Sequence, residues 1–220
     1  MTKMYPMMIS LTDRNCLVVG GGRVAERKVH SLIESGARVK IVSPTITESL
    51  KQQVKKGNLQ WEQRLYHSND GQDAFLVIAA TDWPHVNKTV YEDAIKRNQW
   101  INVVDQPELC NFTVPSVMRQ GKLTIAISTQ GASPMFSKRI RQDLEQQYGD
   151  EFSLYIDLLG EARKKVQQRI TDRKERQRLL QELMSDDWLD LCRYYPTKVM
   201  DYFQAWLQEQ IEGQRGGKTS

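Results

Sequence analysis

The residues best suited to chemistry begin with a glycine-rich segment, VVGGGRVA, at residues 18–25. It matches G-x-G-x-x-A, a form of the dinucleotide-binding fingerprint in which a small residue replaces the third glycine. Gly20 permits a tight strand-to-helix turn, Gly22 lets the backbone approach a pyrophosphate, and Ala25 lets the helix pack close to the sheet. The free N–H groups of the helix N-terminus favour an anion. The segment therefore predicts a cofactor site that includes Gly20, Gly21 and Gly22.

The end of the next apolar segment should hold the adenosine ribose, and NAD-binding sites usually carry Asp or Glu there. Here the chain continues as VSPT at residues 42–45, without an acidic side chain. Ser43 and Thr45 offer weaker hydrogen bonds, and nothing at this point resembles a clamp for a 2′-phosphate. We therefore predict NAD rather than NADP as the cofactor.

Polar residues also follow two later apolar segments. Thr81 follows FLVIAA, and Asp105 follows INVV. Both are expected at the carboxyl edge of the sheet, where α/β proteins bind ligands, and Thr81 is predicted to contact the cofactor. A carboxylate at this edge can be a helix cap, a turn residue or a general base, and position alone does not choose among these roles.

A third candidate is the segment STQGASP at residues 128–134, which places hydroxyls and a glycine directly before a helix. Such a turn can bind a substrate carboxylate through backbone N–H groups. The alternative is an ordinary helix start, with Ser133 as N-cap and Pro134 as the first helical residue. The sequence leaves both interpretations open.

The elements that would position these residues alternate between strands and helices up to residue 105, which predicts an α/β domain with a parallel sheet covered on both faces. The predicted strands are Asn15–Gly20, Ala37–Ser43, Leu59–Arg64, Phe75–Ala80 and Ile101–Val104. The predicted helices are Arg23–Ser35, Ile46–Lys56 and one from Pro84 to about Asn98.

The second half of the chain changes character. Lys122–Ser128 alternates like a half-exposed antiparallel strand, a helix follows Ser133, and three more helices are predicted at Phe152–Ile170, Asp172–Met184 and Lys198–Ile211. The helix after Ser133 carries an apolar stripe that needs a partner surface, at Phe136, Ile140, Leu144 and Tyr148. We therefore predict a Rossmann-type domain at residues 1–112, a dimerisation segment at 113–149, an all-α domain at 150–212 and a disordered tail at 213–220.

Composition excludes several other classes. The formal charge of +4 suits an anionic small molecule, and no regular aromatic interleaving indicates nucleic acid. No apolar run is long enough for a membrane span, and the N-terminus lacks the pattern of a secretory signal. Three widely spaced cysteines and three isolated histidines predict no disulfide framework and no metal site. We expect a cytoplasmic protein with reduced thiols.

Several segments together resemble the precorrin-2 dehydrogenases, some of which are also sirohydrochlorin ferrochelatases, and the N-terminal part of siroheme synthase. The matching segments are MYP at residues 4–6, CLVVGGGRVAERK at 16–28, GA at 36–37, IAATD at 78–82, NVVD at 102–105, PS at 115–116 and ISTQGASP at 127–134. They follow the family's order and spacing over roughly residues 1–150. The glycine-rich block is far more specific than G-x-G-x-x-A alone.

This resemblance implies an enzyme that removes two hydrogens from the tetrapyrrole precorrin-2, with NAD accepting a hydride. It implies that Asp105 is catalytic. From the positions of the NVVD and STQGASP segments we expect Asn102, Ser128 and Ser133 to contact the substrate. The implied cofactor contacts are Gly22, Arg23, Val24, Pro44 and Thr45, which suggests a ribose held without an acid. It also implies a homodimer, and no methylation, because the methyltransferase domain of siroheme synthase has no counterpart here.

Two alternatives stay open at this point. One is a bifunctional enzyme that also inserts ferrous iron into sirohydrochlorin, since the family uses the same aspartate for both activities. The other is a non-catalytic NAD-binding regulatory module. The NVVD segment and the STQGASP turn argue against the second alternative, because a sensor needs no base beside its cofactor.

Overall fold

The computed structural model describes residues 4–216. This part of the chain forms two compact units. The boundary along the chain lies between Val114 and Pro115, two residues beyond the predicted end of the Rossmann domain. The predicted dimerisation segment and the predicted helical domain lie together in the second unit.

The first unit is built on a five-stranded parallel sheet with the order β3-β2-β1-β4-β5. The strands are β1 (Asn15–Val19), β2 (Arg38–Val42), β3 (Leu59–Glu62), β4 (Leu76–Ala79) and β5 (Trp100–Val103). The order reverses at β1, which pairs with β2 on one side and with β4 on the other. The loops after β1 and β4 therefore diverge at the carboxyl edge, where doubly wound sheets bind ligands.

Three helices cover the sheet: α1 (Arg23–Glu34), α2 (Glu48–Lys55) and α3 (Pro84–Lys96). Successive residues of β1 contribute to two separate cores, because side chains of a strand alternate between faces. Val18 packs in the cluster that contains Val29 of α1, whereas Val19 packs in the cluster that contains Val90 of α3. Burial on both faces explains why β1 is apolar from Cys16 to Val19, and the predicted α/β class is confirmed.

The second unit begins with a β-hairpin of β6 (Ser116–Gln120) and β7 (Leu123–Ile127), paired antiparallel. Five helices follow: α4 (Pro134–Gln147), α5 (Glu151–Arg169), α6 (Arg173–Glu182), α7 (Asp186–Tyr194) and α8 (Val199–Gly216). The last four pack around a core that includes Leu158, Leu179 and Phe203, each fully buried.

Three sequence expectations for this unit need correction. Strand β6 was not expected, yet its two-residue connection to β7 contains Gly121 at φ +54°, a conformation that suits a tight hairpin. Helix α7 was not expected either, although Ser185 and two aspartates mark its start. The predicted disordered tail is wrong for residues 213–216, because α8 continues to Gly216; residues 217–220 lie outside the described part.

None of the helices within residues 4–216 combines the length and the hydropathy that a membrane span requires.

Candidate active site

A cleft of about 770 Å³ opens at the carboxyl edge of the parallel sheet, between the loops that follow its strands. Its lining contains every cofactor and catalytic residue predicted from the sequence: Gly20, Gly21, Gly22, Arg23, Val24, Ser43, Pro44, Thr45, Thr81 and Asp105. The parallel topology explains this convergence, because all carboxyl ends of the strands meet at one edge.

The three consecutive glycines of the first loop have different constraints. Gly20 has φ +117°, and a Cβ there would lie 2.2 Å from the carbonyl oxygen of Ala80. A Cβ at Gly21 would lie 2.0 Å from the carbonyl oxygen of Thr45. A Cβ at Gly22 would meet no atom within 4 Å. Gly20 and Gly21 are therefore required by the packing of the loop itself, whereas Gly22 borders open space in the cleft.

That open space lies at the N-terminus of α1. Gly22 is the N-cap, and no side chain accepts a hydrogen bond there. The first bond within the helix runs from the Glu26 N–H to the Gly22 carbonyl oxygen at 2.9 Å. The N–H groups of Arg23 and Val24 precede that bond and are the donors of the first turn. A dinucleotide pyrophosphate fits this cradle, because it needs backbone donors, a positive helix end and no Cβ.

The loop after β2 is held by its own hydrogen bonds. The Ser43 hydroxyl, buried at this end of the strand, donates to the Thr45 carbonyl oxygen at 2.7 Å. The Trp61 indole N–H donates to the Ser43 carbonyl oxygen at 2.9 Å, and the Thr47 N–H donates to the Gly21 carbonyl oxygen at 3.1 Å. Ser43 thus shapes the loop, while Pro44 and Thr45 remain exposed to the cleft. The ribose contacts stay a prediction.

The loop after β4 is clamped by Asn87, a buried residue of α3. The Thr81 hydroxyl donates to Asn87 Oδ1 at 2.7 Å, and Asn87 Nδ2 donates to the Thr81 carbonyl oxygen at 3.0 Å. The Trp83 N–H donates to the Thr81 hydroxyl at 3.2 Å. This network fixes the segment from Thr81 to Trp83 where it lines the cleft.

Asp105 is exposed and lies in a turn directly after β5. Its φ is +60°, a left-handed conformation that aspartate tolerates better than most residues. The turn is closed by the Gln106 N–H, which donates to the Val103 carbonyl oxygen at 3.3 Å. A carboxylate held outward in this way can accept a proton from a bound molecule.

The Cys110 side chain stabilises the same turn from inside. Its sulfur accepts from the Val103 N–H at 3.1 Å, and the thiol lies 3.3 Å from the carbonyl oxygens of Val103 and Gln106. Burial raises the pKa of the Cys110 thiol, although the Val103 hydrogen bond partly opposes this. The group therefore remains a thiol that can donate to these carbonyls at neutral pH.

Lys28 of α1 is close enough to this turn to respond to its charges. Burial lowers the pKa of Lys28, Arg27 lowers it further, and the negative charge of Asp105 partly opposes both effects. The arrangement puts a half-buried cation within electrostatic range of the Asp105 carboxylate.

The predicted substrate residues lie elsewhere. Asn102 Nδ2 donates to the Phe112 carbonyl oxygen at 3.1 Å, so that amide braces the chain beyond β5. Ser128 and Ser133 belong to the second unit. The Ser128 hydroxyl accepts from the Gln130 N–H at 3.1 Å, and Ser133 caps α4 by accepting from the Phe136 N–H at 3.3 Å. The capped helix start is thus observed, and substrate contacts at these three residues remain a prediction.

The residues that brace the cleft by hydrogen bonds were among those that sequence reasoning missed: Arg64, Asp70, Asn87 and Cys110. Arg64 follows β3, so its place beside the β2 loop depends on strand order, which the sequence does not display. The sequence contained only a weak indication of Cys110. It lies five residues after Asp105, and a short turn can bring its side chain back to that segment. Asn87 sits inside a helix and gave no signal.

The comparisons with known proteins agree with this architecture. A family model described as putative NAD(P)-binding matches residues 7–116, and one described as sirohaem biosynthesis protein central matches residues 120–147. Siroheme synthase of Nitrosospira multiformis is 32% identical over 95% of this chain, which spans 44% of that longer protein. Siroheme synthase of Xylella fastidiosa is 37% identical over 86% of this chain, which spans 40% of it.

Two further relatives match over nearly their whole length. Precorrin-2 dehydrogenase of Priestia megaterium is 32% identical over 84% of this chain and 91% of its own. The solved structure of SirC, precorrin-2 dehydrogenase, superposes with a TM-score of 0.76 at 30% identity, covering 90% of this chain and all of that one. The predicted resemblance is confirmed, and the chain belongs to the precorrin-2 dehydrogenase family, the family that also supplies the N-terminal part of siroheme synthase.

Proposed function

We propose that this chain oxidises precorrin-2 to sirohydrochlorin, with NAD as the oxidant. The observation that carries the proposal is the cleft itself, in which an open helix N-terminus at Gly22 and an exposed carboxylate at Asp105 share one lining. One feature suits a dinucleotide, and the other suits removal of a proton. The relatives named precorrin-2 dehydrogenase supply the identity of the substrate.

The cofactor would be held by backbone donors and by the loops beside them. Arg23 and Val24 offer N–H groups at the start of α1, and Pro44, Thr45 and Thr81 form neighbouring walls. When bound, NAD supplies the acceptor for a hydride. The chain's own contribution is to hold a ligand at this edge of the sheet and to keep the lining loops rigid.

Asp105 has the catalytic role in this proposal. Loss of a hydride from precorrin-2 leaves a cation, and loss of one proton then gives the neutral, oxidised macrocycle. A carboxylate near a forming cation can stabilise its charge and act as a general base. Asp105 therefore stabilises the positive charge and accepts the proton, while Asn102, Ser128 and Ser133 are proposed to contact the substrate.

The second unit supports a homodimer. Met135 and Phe136 of α4 have exposed fractions of 85% and 54%, and large apolar groups exposed together often mark an interface. Within the described residues, β6 and β7 pair only with each other, which leaves one edge of each strand for a second copy. We propose a cytoplasmic homodimer. A stable 25.5 kDa monomer in sedimentation at micromolar concentration would contradict the dimer.

An anaerobic absorption time course tests the activity. Purified protein with precorrin-2 and NAD should form NADH and sirohydrochlorin in equal amounts, and neither should form without NAD. Binding of NAD without any oxidation of precorrin-2 would favour the regulatory alternative. Ferrous ion added after completion tests the chelatase alternative, which predicts conversion of sirohydrochlorin to siroheme.

A further inference from the structure

The cleft contains an arginine at the place where NADP would differ from NAD. Arg64 follows β3 and lines the cleft together with Ser43, Pro44 and Thr45. The Glu62 carbonyl oxygen accepts from the Ser43 N–H at 3.2 Å and from the Arg64 N–H at 2.9 Å, so the two loops start side by side. In Rossmann domains the adenosine ribose lies at the end of β2, and an arginine nearby accommodates the 2′-phosphate of NADP.

This arginine is already engaged by a carboxylate. Arg64 Nη1 and Nη2 donate to the two oxygens of Asp70 at 2.8 and 2.6 Å, which is the bidentate geometry that a phosphate would also require. Nη1 also donates to the Leu65 carbonyl oxygen at 3.1 Å, and Nε lies 3.7 Å from Glu62. The Arg64 side chain is 38% exposed, whereas that of Asp70 is 6% exposed.

Asp70 is itself held in place. It belongs to a short 3₁₀ turn, Ser68–Gly71, and its Oδ2 accepts from the His67 N–H at 2.8 Å. Burial favours protonation of Asp70, but the hydrogen bonds from Arg64 and His67 outweigh it and keep the pKa of Asp70 below its usual range. The carboxylate is therefore a fixed negative charge behind the guanidinium across the neutral range.

We propose that Asp70 makes the cleft selective for NAD over NADP by occupying Arg64. A 2′-phosphate carries close to two negative charges and would have to compete with a carboxylate that already occupies the edge of the guanidinium formed by Nη1 and Nη2. It would also approach the negative charges of Asp70 and Glu62. NAD has only a hydroxyl at this position and meets no such opposition. This inference rests on the proposed use of NAD and assigns its selectivity to a residue outside the glycine-rich loop.

The test compares dissociation constants of NAD⁺ and NADP⁺ by calorimetry, without precorrin-2, so it does not depend on turnover. Asp70→Asn keeps the shape of the side chain but frees the charge of Arg64, and NADP⁺ affinity relative to NAD⁺ should rise by about tenfold, the effect of one charged hydrogen bond. The gain should shrink as salt is raised, because it is electrostatic. A purely structural role for the pair would weaken both nucleotides together.

Two further variants keep the test decisive. Asp70→Asn combined with Arg64→Gln should lose the gain for NADP⁺, since the guanidinium is then absent. Glu62→Gln removes the exposed carboxylate that lies 3.7 Å from Arg64 Nε and leaves the hydrogen bonds between Arg64 and Asp70 in place. It should raise relative NADP⁺ affinity by about twofold, as for a surface ion pair, and it can be measured if Asp70→Asn does not fold. The proposal is overturned if the ratio of NADP⁺ affinity to NAD⁺ affinity is unchanged in folded Asp70→Asn. If Asp70→Asn does not fold, an unchanged ratio in Glu62→Gln overturns it. Failure of the unaltered protein to bind either nucleotide overturns the proposed function instead.

Discussion

Two turns in this chain lead into helices, and they differ in how the helix N-terminus is satisfied. The sequence predicted a pyrophosphate site at the first turn, and at the second it left open a carboxylate site or an ordinary helix cap. The turn before α1 ends at Gly22, which offers no side-chain cap. The turn before α4 ends at Ser133, whose hydroxyl accepts from the Phe136 N–H, while the Thr129 hydroxyl accepts from the Ser133 N–H at 3.1 Å. A helix start presents donors to a ligand most readily where its own chain has not used them.

If the turn before α1 binds the cofactor and the turn after β5 performs the chemistry, the two roles should separate. Asp105→Asn should then lower turnover of precorrin-2 by roughly 10²–10⁴-fold, the usual contribution of a positioned general base. The dissociation constant of NAD, measured by calorimetry, should change little, because the loop before α1 is untouched. Full turnover in this variant would leave Asp105 as a turn residue only.

The first turn can be tested directly through its one open glycine. Gly22→Val should weaken NAD binding by about 100-fold, since its side chain enters the cradle and removes charge-assisted hydrogen bonds worth roughly 1.5–3 kcal/mol. Thermal unfolding of the apoprotein should be nearly unchanged, because a Cβ there meets no atom within 4 Å and φ is −79°.

Gly21→Ala is the matched contrast to Gly22→Val. Its Cβ would lie 2.0 Å from the Thr45 carbonyl oxygen, so the loop must shift and the free energy of unfolding should fall by about 1–3 kcal/mol. Near-normal NAD affinity in folded Gly22→Val would remove the cofactor site from the turn before α1.

The turn that contains Asp105 is a third case, because a side-chain thiol stabilises it. Cys110→Ala removes the sulfur contacts to Val103 and Gln106 and should lower turnover by about tenfold, since small displacements of a reacting group have large effects on rate. Cys110→Ser retains a hydroxyl donor and should recover part of the loss. Equal rates for all three proteins would show that the turn holds Asp105 without the thiol.

The smallest effect is expected at the second turn. Ser133→Ala removes the cap of α4 and should lower the free energy of unfolding by about 1 kcal/mol in a denaturant titration. If stability is unchanged while the KM for precorrin-2 rises, the hydroxyl contacts the substrate rather than the helix, and the contrast between the two turns fails.

The fold was predictable where the sequence pattern is local. The strand at residues 15–19 and the helix after Gly22 follow from an apolar run, a glycine turn and helical spacing, and the observed bounds differ from the predicted ones by one residue at one end of each. Strand β6 was missed because its residues, SVMRQ, are only half apolar and its pairing with β7 appears only once the hairpin forms.

The site was predictable to the extent that it depends on strand ends. Gly20, Ser43, Thr81 and Asp105 each follow an apolar strand, so parallel topology was enough to bring them together. The supporting contacts were not predictable, because they depend on three-dimensional neighbours. The bidentate pair between Arg64 and Asp70 needs β3 beside β2, and the clamp on Thr81 needs α3 packed over β4.

The reversal of strand order at β1 has a consequence for folding. Cys16 pairs with Val39 on one side and with Leu76, much farther along the chain, on the other. Closing that long loop is entropically costly and slow, and Gly20 reaches Ala80 only after it closes. We therefore expect the nucleotide-binding crevice to be completed late in folding. A cofactor present at 100 times its dissociation constant raises the free energy of unfolding by about 2.7 kcal/mol. The lifetime of the folded chain should therefore follow the supply of its nucleotide.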